Sequence, residues 1–239
     1  GFDGYRDSGL YIPSFITKPT KSYWLALAST CDKKPEEAIQ KLEESIAHTK
    51  KQKPKTRHKL IPLYRLLAEQ QRVIGLRNAA AKSYKQLIAS WQTIAPTPEQ
   101  LGFTPIQKTL EQVNDLLWAS RYQSLNGYLQ QAKQYTKKAL QEIDLALASK
   151  QKKTSKQMKQ LREYQAEAYY IDSFRIAPQE KNFSAATKIL KKGLSNKKIA
   201  SKWHEKFTWC LGLFQYIQKD YQAAIKTWEQ ELETTKNEK

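Results

Sequence analysis

The feature that most constrains this chain is a small residue set opposite an aromatic at helical spacing, met more than once. In LGLFQYIQKDYQAAIKTWEQEL, residues 211–232, Leu211 and Gly212 fall inside one predicted helix and Tyr221 opens the next. Ala224, Trp228 and Leu232 then follow at i, i+4 and i+8 on a single face. Small side chains at such places let two antiparallel helices approach closely, and the aromatics fill the space beside them. The same order recurs in LLAEQQRVIGLRNAAAKSYKQLI, with Leu67 and Ala68 in the first helix, Gly75 at a hinge, and Ala80 and Tyr84 in the second.

The rest of the chain agrees with helices. Only 8 glycines and 9 prolines punctuate it, and Ala, Leu, Lys, Gln and Glu fill the long stretches between them. Alternating Val/Ile/Thr runs are absent, so no strand is predicted. Three of the glycines and two of the prolines lie in GFDGYRDSGLYIPSFITKPTK, which reads as an irregular leader over 1–21, followed by a helical repeat region over 22–239. At 239 residues the chain can bury a core without a covalent staple. Cys31 and Cys210 lie near opposite ends and have no spacing of a disulfide framework or zinc knuckle. The longest apolar run, YWLALA, is far short of the ~20 residues a membrane-spanning helix needs. The chain begins with Gly1 rather than Met, which leads us to expect a processed or truncated start.

Weaker copies complete the pattern. Leu25 and Ala26 precede Ala38 and Leu42; Ala119 and Ser120 precede Gly127, Leu129, Ala132 and Ala139; Phe183, Ala186 and Leu190 form another second helix. The whole resembles the tetratricopeptide repeat (TPR), whose helix pair carries Leu-Gly in the first helix and Tyr, Ala and an aromatic in the second. That resemblance, over roughly residues 20 to 235, implies an all-α, TPR-like right-handed helical-hairpin solenoid of about five helix pairs. Taking Ala38, Ala80, Ala132, Ala186 and Ala224 as markers, the repeats are spaced unevenly and are longer than the family's ~34 residues. The extra length is expected in the connection IAPTPEQLGFTP, in the long helix SKQMKQLREYQAEAYYIDSFR, and in a lengthened hinge IAPQEKN.

Two surfaces are candidates for function. Helical projection of the first helices onto a concave face gives Tyr23, Leu27, Arg65, Glu69, Arg72, Asn114, Arg121, Ser124, Trp209, Leu213 and Tyr216, a mixture of Arg and aromatics that suits anchoring of a peptide. Some of these residues are equally suited to packing between helices. Tyr23 and Leu27 stand where the resemblance calls for the polar clamp that holds a C-terminal carboxylate, which argues against tail binding of that kind.

The second surface is basic. Lys and Arg total 41 against 23 acidic residues, a formal charge of +18 that favours anionic partners. The lysines cluster in KKQKPKTRHK, KQKKTSKQMK and KILKKGLSNKKIASKWHEK, each between one helix pair and the next. Connections recur along one edge of a solenoid, so Lys50, Lys51, Lys53, Lys55, Arg57, Lys150, Lys152, Lys153, Lys197 and Lys198 are candidates for a basic edge. The plainer reading is that they solvate loops. Lysine far outnumbers arginine, which favours nonspecific attraction over bidentate recognition.

Catalytic constellations are thin. His48, His58 and His204 have no paired metal-ligand spacing, and no GxxxxGK loop occurs. The adjacent carboxylates Glu36-Glu37 and Glu43-Glu44 read as a polar helix face. The C-terminal segment also resembles helix pairs in the noncatalytic superhelical region of soluble lytic transglycosylases, which implies a periplasmic or cell-envelope setting. Those enzymes place a Glu-Ser pair in a separate catalytic domain, whereas Glu44-Ser45 lies inside a predicted solenoid helix. We therefore expect a noncatalytic protein-interaction scaffold without cofactor or metal, binding a protein or peptide partner with an acidic surface. A binder of anionic polymers, murein-associated or nucleic acid, and a transglycosylase superhelix remain the alternatives.

Overall fold

The computed structural model describes residues 34–196 and 198–237; the leader, Tyr23, Leu27, Cys31 and Lys197 lie outside them. The described residues form nine α-helices and no strand. The chain divides into two compact units, Gly1–Asp115 and Leu116–Lys239.

In the first unit, α1 (Pro35–Lys50) opens on a proline with Glu36 and Glu37 in its first turn and closes with His48 and Lys50, so both ends suit the helix dipole. It buries Ala38, Leu42 and Ile46 at i, i+4 and i+8. A 3₁₀ turn (Pro54–Lys59) leads into α2 (Leu60–Val73), and α3 (Arg77–Ile94) folds back against it. Ile61, Leu67, Ala80, Tyr84, Leu87, Ile88 and Trp91 fill the space between, all 5% exposed or less. A helix this apolar on one side gains most of its stability from such burial, about 1.5–3 kcal/mol for each large side chain.

Helix α4 (Pro105–Leu125) starts at a reciprocal cap between Thr104 and Gln107. In the second unit follow α5 (Leu129–Ala148), α6 (Ser155–Tyr170), a π turn (Ile171–Ile176), α7 (Phe183–Leu194), α8 (Ser201–Ile217) and α9 (Tyr221–Asn237). Thr154 and Gln157 cap α6 in the same reciprocal way. The core of this unit gathers Ala166, Tyr169, Ala186, Leu190, Trp203, Phe207, Leu211 and Phe214.

Four hairpin turns share one backbone design. Gly75, Gly127, Lys181 and Lys219 each adopt a left-handed conformation, with φ of 79°, 78°, 55° and 64°. The next N–H in each turn donates to the carbonyl five residues earlier: Leu76 to Gln71, Tyr128 to Gln123, Asn182 to Ala177 and Asp220 to Gln215, at 2.8–2.9 Å. This is the Schellman closure of the first helix, and that same N–H residue starts the second. Its carbonyl accepts the first helical bond from Ala80, Ala132, Ala186 or Ala224. Together with Ala38, these alanines are 0–1% exposed, so the marker residues of the sequence pattern all lie in helix contacts.

The α6–α7 hairpin carries the expected lengthened hinge: six residues, 177–182, separate its π turn from α7, whereas three separate the paired helices in the other three described hairpins. Its closing bond is the same as theirs, and one added residue is accommodated in the π turn, where the Ala177 N–H donates to the Asp172 carbonyl at 2.9 Å. Pro178 explains the location, because it has no N–H to continue an α-helical ladder. The insertion also shifts the small residue of the first helix. Ala68, Ser120 and Gly212 stand seven residues before their left-handed turn residue, whereas the fully buried Ser173 stands eight before Lys181.

Candidate functional site

On the first helix of the α2–α3 pair, Arg65 is 6% exposed and spans two carboxylates, donating from Nη1 to Glu111 at 2.6 Å and from Nη2 to Asp115 at 2.7 Å. Asp115 also accepts from the Trp91 indole at 2.7 Å. Burial pushes the Asp115 carboxyl above its ordinary range, and the Arg65 guanidinium opposes the shift. Arg65 therefore joins α2 to α4 inside the first unit. Glu69 is similarly occupied: it accepts from Arg72 at 2.8 Å and from the Tyr84 hydroxyl at 2.5 Å. Burial and the neighbouring Glu69 charge raise the Tyr84 hydroxyl well above the usual phenol range. Arg72 and Asn114 are half-buried.

In the second unit Arg121 pairs with Glu167 at 2.7 Å and lies 4.8 Å over the Trp118 ring. Glu167 is pushed upward by burial, against the pull of Arg121. Ser124 is buried and donates to the Arg121 carbonyl at 2.8 Å. The outer members differ sharply from these. Trp209 is 59% exposed, Leu213 40% and Tyr216 55%, and with Cys210 and Trp228 they line an apolar groove of about 420 Å³ between α8 and α9. Gly212, whose missing side chain makes room for the Trp228 ring, lets that ring lie close against α8.

The projected set thus divides by environment. Arg65, Glu69 and Ser124 are held in internal bonds, Arg72, Asn114 and Arg121 are partly accessible, and Trp209 and Tyr216 face outward. One recurring device was missed by sequence reading. The Ser83 hydroxyl donates to the Gln71 amide oxygen at 2.7 Å, and the Thr227 hydroxyl donates to that of Gln215 at 2.8 Å. Both bonds cross their hairpin between the same two register positions, so a Gln four residues before the turn residue, with a hydroxyl twelve later, was the available signal.

Of the basic candidates, Lys50, Lys51, Lys53 and Arg57 are exposed in the first unit, and the Lys55 side chain lies outside the described residues. Lys50 and Arg57 line a cleft of about 420 Å³ with Leu60, Ser90, Thr93 and Ile94. In the second unit Lys150, Lys152 and Lys198 are exposed. Lys153 is half-buried and donates to the Ser149 and Gln151 carbonyls at 2.7 and 3.0 Å, which ties down the turn before α6. Glu44 and Ser45 lie within α1; Ser45 is buried and donates to the Lys41 carbonyl, while Glu44 accepts from Gln40 on the helix surface.

Two solved structures share the fold. Both contain the nearly identical TPR-like repeats of a Podosopora anserina protein assigned as a kinesin light chain, one of them as a point variant. Each gives a TM-score of 0.55 at 16% identity and covers 92% of this chain, with 95% and 94% of the other chain matched. No protein-family profile and no curated protein sequence matches. The fold is an all-α, TPR-like helical-hairpin solenoid, and no described helix is long and apolar enough to cross a membrane.

Proposed function

We propose that this chain is a noncatalytic interaction scaffold that holds a peptide or protein segment against the first-helix face of its repeats. The observation that carries this reading is the apolar groove between α8 and α9, where Trp209, Leu213 and Tyr216 are exposed on the first helix of the pair. Exposed aromatics around a concavity are the usual anchors of peptide recognition, because a large apolar area is gained with few torsions to freeze. Arg121 adds a polar contact from another first helix of the same unit, and the lysine-rich connections steer partners with acidic surfaces.

The test is a fluorescence titration with an amphipathic acidic peptide carrying two aromatic or leucine anchors, over a salt series. Binding should weaken as salt rises, and Trp209→Ala should weaken it about tenfold or more at every salt concentration. Replacing Lys150, Lys152 and Lys198 with Gln should weaken it only at low salt. Failure to bind at low salt would remove the reading.

A second reading has its own support. The cleft lined by the cations Lys50 and Arg57 suits an anionic group of a polymer. Heparin binding that is lost with Lys50→Gln and Arg57→Gln, and untouched by Trp209→Ala, would favour it.

A further inference from the structure

The last hairpin carries a groove and a ridge of matching design. Helix α8 seats on the preceding pair through Trp203, Phe207, Cys210 and Phe214, spaced i, i+4, i+7 and i+11. Its rings meet those of that pair at 6.0 Å (Tyr170–Trp203), 6.1 Å (Phe174–Phe214) and 5.8 Å (Phe183–Phe214), and Phe207 lies over Gly193. Helix α9 bears Tyr221, Ile225, Trp228 and Leu232 at the same spacing, yet Tyr221, Ile225 and Leu232 are 51%, 53% and 61% exposed. Beside this ridge lies the groove of Trp209, Leu213 and Tyr216, and Trp228 belongs to both.

Repeat register makes the exposure unusual. Three residues before the small residue of each first helix stand Arg65, Leu117, Tyr170 and Trp209; the first two are 6% and 1% exposed, Tyr170 is half-buried against Trp203, and the last is 59% exposed. The α8–α9 face is therefore the stacking surface of the repeat, continued one pair further without a cover among the described residues.

We propose that a second copy of this chain covers it, the α9 ridge of each copy lying in the α8–α9 groove of the other around a two-fold axis. Two features select a second copy. First, groove and ridge lie on one hairpin, as an isologous contact requires. Second, the chain as a whole carries +18, but residues 201–237 contain five lysines and five carboxylates and are locally neutral, so two copies meet there without the repulsion expected elsewhere. The inference rests on the scaffold reading only in treating this face as a binding surface.

The experiment is sedimentation velocity on the whole 239-residue chain, from micromolar to submillimolar concentration, for the unaltered protein and for Ile225→Glu and Leu232→Glu. Both substituted residues are exposed, so circular dichroism and the unfolding midpoint of a monomer should not change. A dimer is expected for the unaltered chain, with its dissociation constant raised about a hundredfold or more by either substitution, as for a central anchor in an interface. A monomer throughout, including one whose groove takes up a helix of another protein, overturns the proposal, as does a dimer indifferent to both substitutions. The two readings fail separately: Ile225→Glu leaves the Trp209 groove open to the acidic peptide, so a monomer that binds peptide removes only the dimer, and a dimer that never binds peptide removes only the peptide scaffold.

Discussion

A Cβ atom on Gly212 would lie 2.2 Å from Nε1 of Trp228 and 2.4 Å from its Cε2. The glycine in the first helix and the tryptophan in the second are thus two halves of one contact, which closes the last hairpin. Gly212→Ala forces the indole out of its place. Overpacking of this kind costs about 1–3 kcal/mol, and the better helix propensity of alanine returns about 0.5–1 kcal/mol. A net loss of stability is expected by chemical denaturation, and much less of one when Trp228→Ala is also present. Equal losses with and without Trp228 would show that the contact is not what demands the glycine.

The four turn residues make opposite predictions for the same backbone geometry. Lys181 and Lys219 adopt positive φ with a side chain, whereas Gly75 and Gly127 adopt it without one. Lys219→Gly should stabilise the protein by about 0.5–1 kcal/mol, the relief of a left-handed L-residue less the greater freedom of glycine in the unfolded chain. Gly75→Ala should destabilise by about 1 kcal/mol through conformation alone, because nothing lies within 4 Å of the added methyl. The melting temperatures of the two variants, moving in opposite directions, are the check.

Arg65→Ala leaves Asp115 fully buried beside the Trp91 indole without its cation. Removal of one partner of such a pair costs about 3–5 kcal/mol. The loss should depend on pH in a defined sense. Burial already raises the Asp115 carboxyl, so its charged form is disfavoured in the folded state, and loss of Arg65 raises it further. The group favours folding below its unfolded-state value and ceases to as pH rises through the folded one. The difference between variant and parent should therefore be smaller in mildly acidic buffer than at neutral pH; a constant difference would show that lost packing dominates.

The Cys210 thiol, pushed up to about 11 by burial with Lys206 opposing, should react slowly with a disulfide reagent at neutral pH. The measurement uses a Cys31→Ser chain, so that one thiol reports. Labelling should accelerate steeply with pH beyond the range of an ordinary cysteine, and unfolding in denaturant should remove the protection. Fast labelling of the folded chain at neutral pH would contradict it.

The local design of this protein was readable residue by residue. Ala80, Ala132, Ala186 and Ala224 mark second helices, and Gly75 and Gly127 mark hinges, because helix periodicity and left-handed turn conformations are imposed by neighbours a few positions away. Lys181 and Lys219 occupy the same turn conformation without announcing it, since a lysine carries no such preference. The lengthened hinge IAPQEKN was legible, but the π turn before it was hidden, because a widened helical turn depends on which arrangement keeps Ala186 and Leu190 in the core. The site was less legible than the fold. Arg65, Arg121 and Trp209 all projected from first helices, and sequence periodicity assigned them one face. Tertiary structure separated them, because charge burial is decided by partners distant in sequence: Glu111 and Asp115 reach Arg65, and Glu167 reaches Arg121. Trp209 stays exposed at a register position where Leu117 is buried and Tyr170 half-buried. Sequence determined where each helix turns and which small residues let helices meet; only the packing decided which side chains were consumed by it and which were left to bind something else.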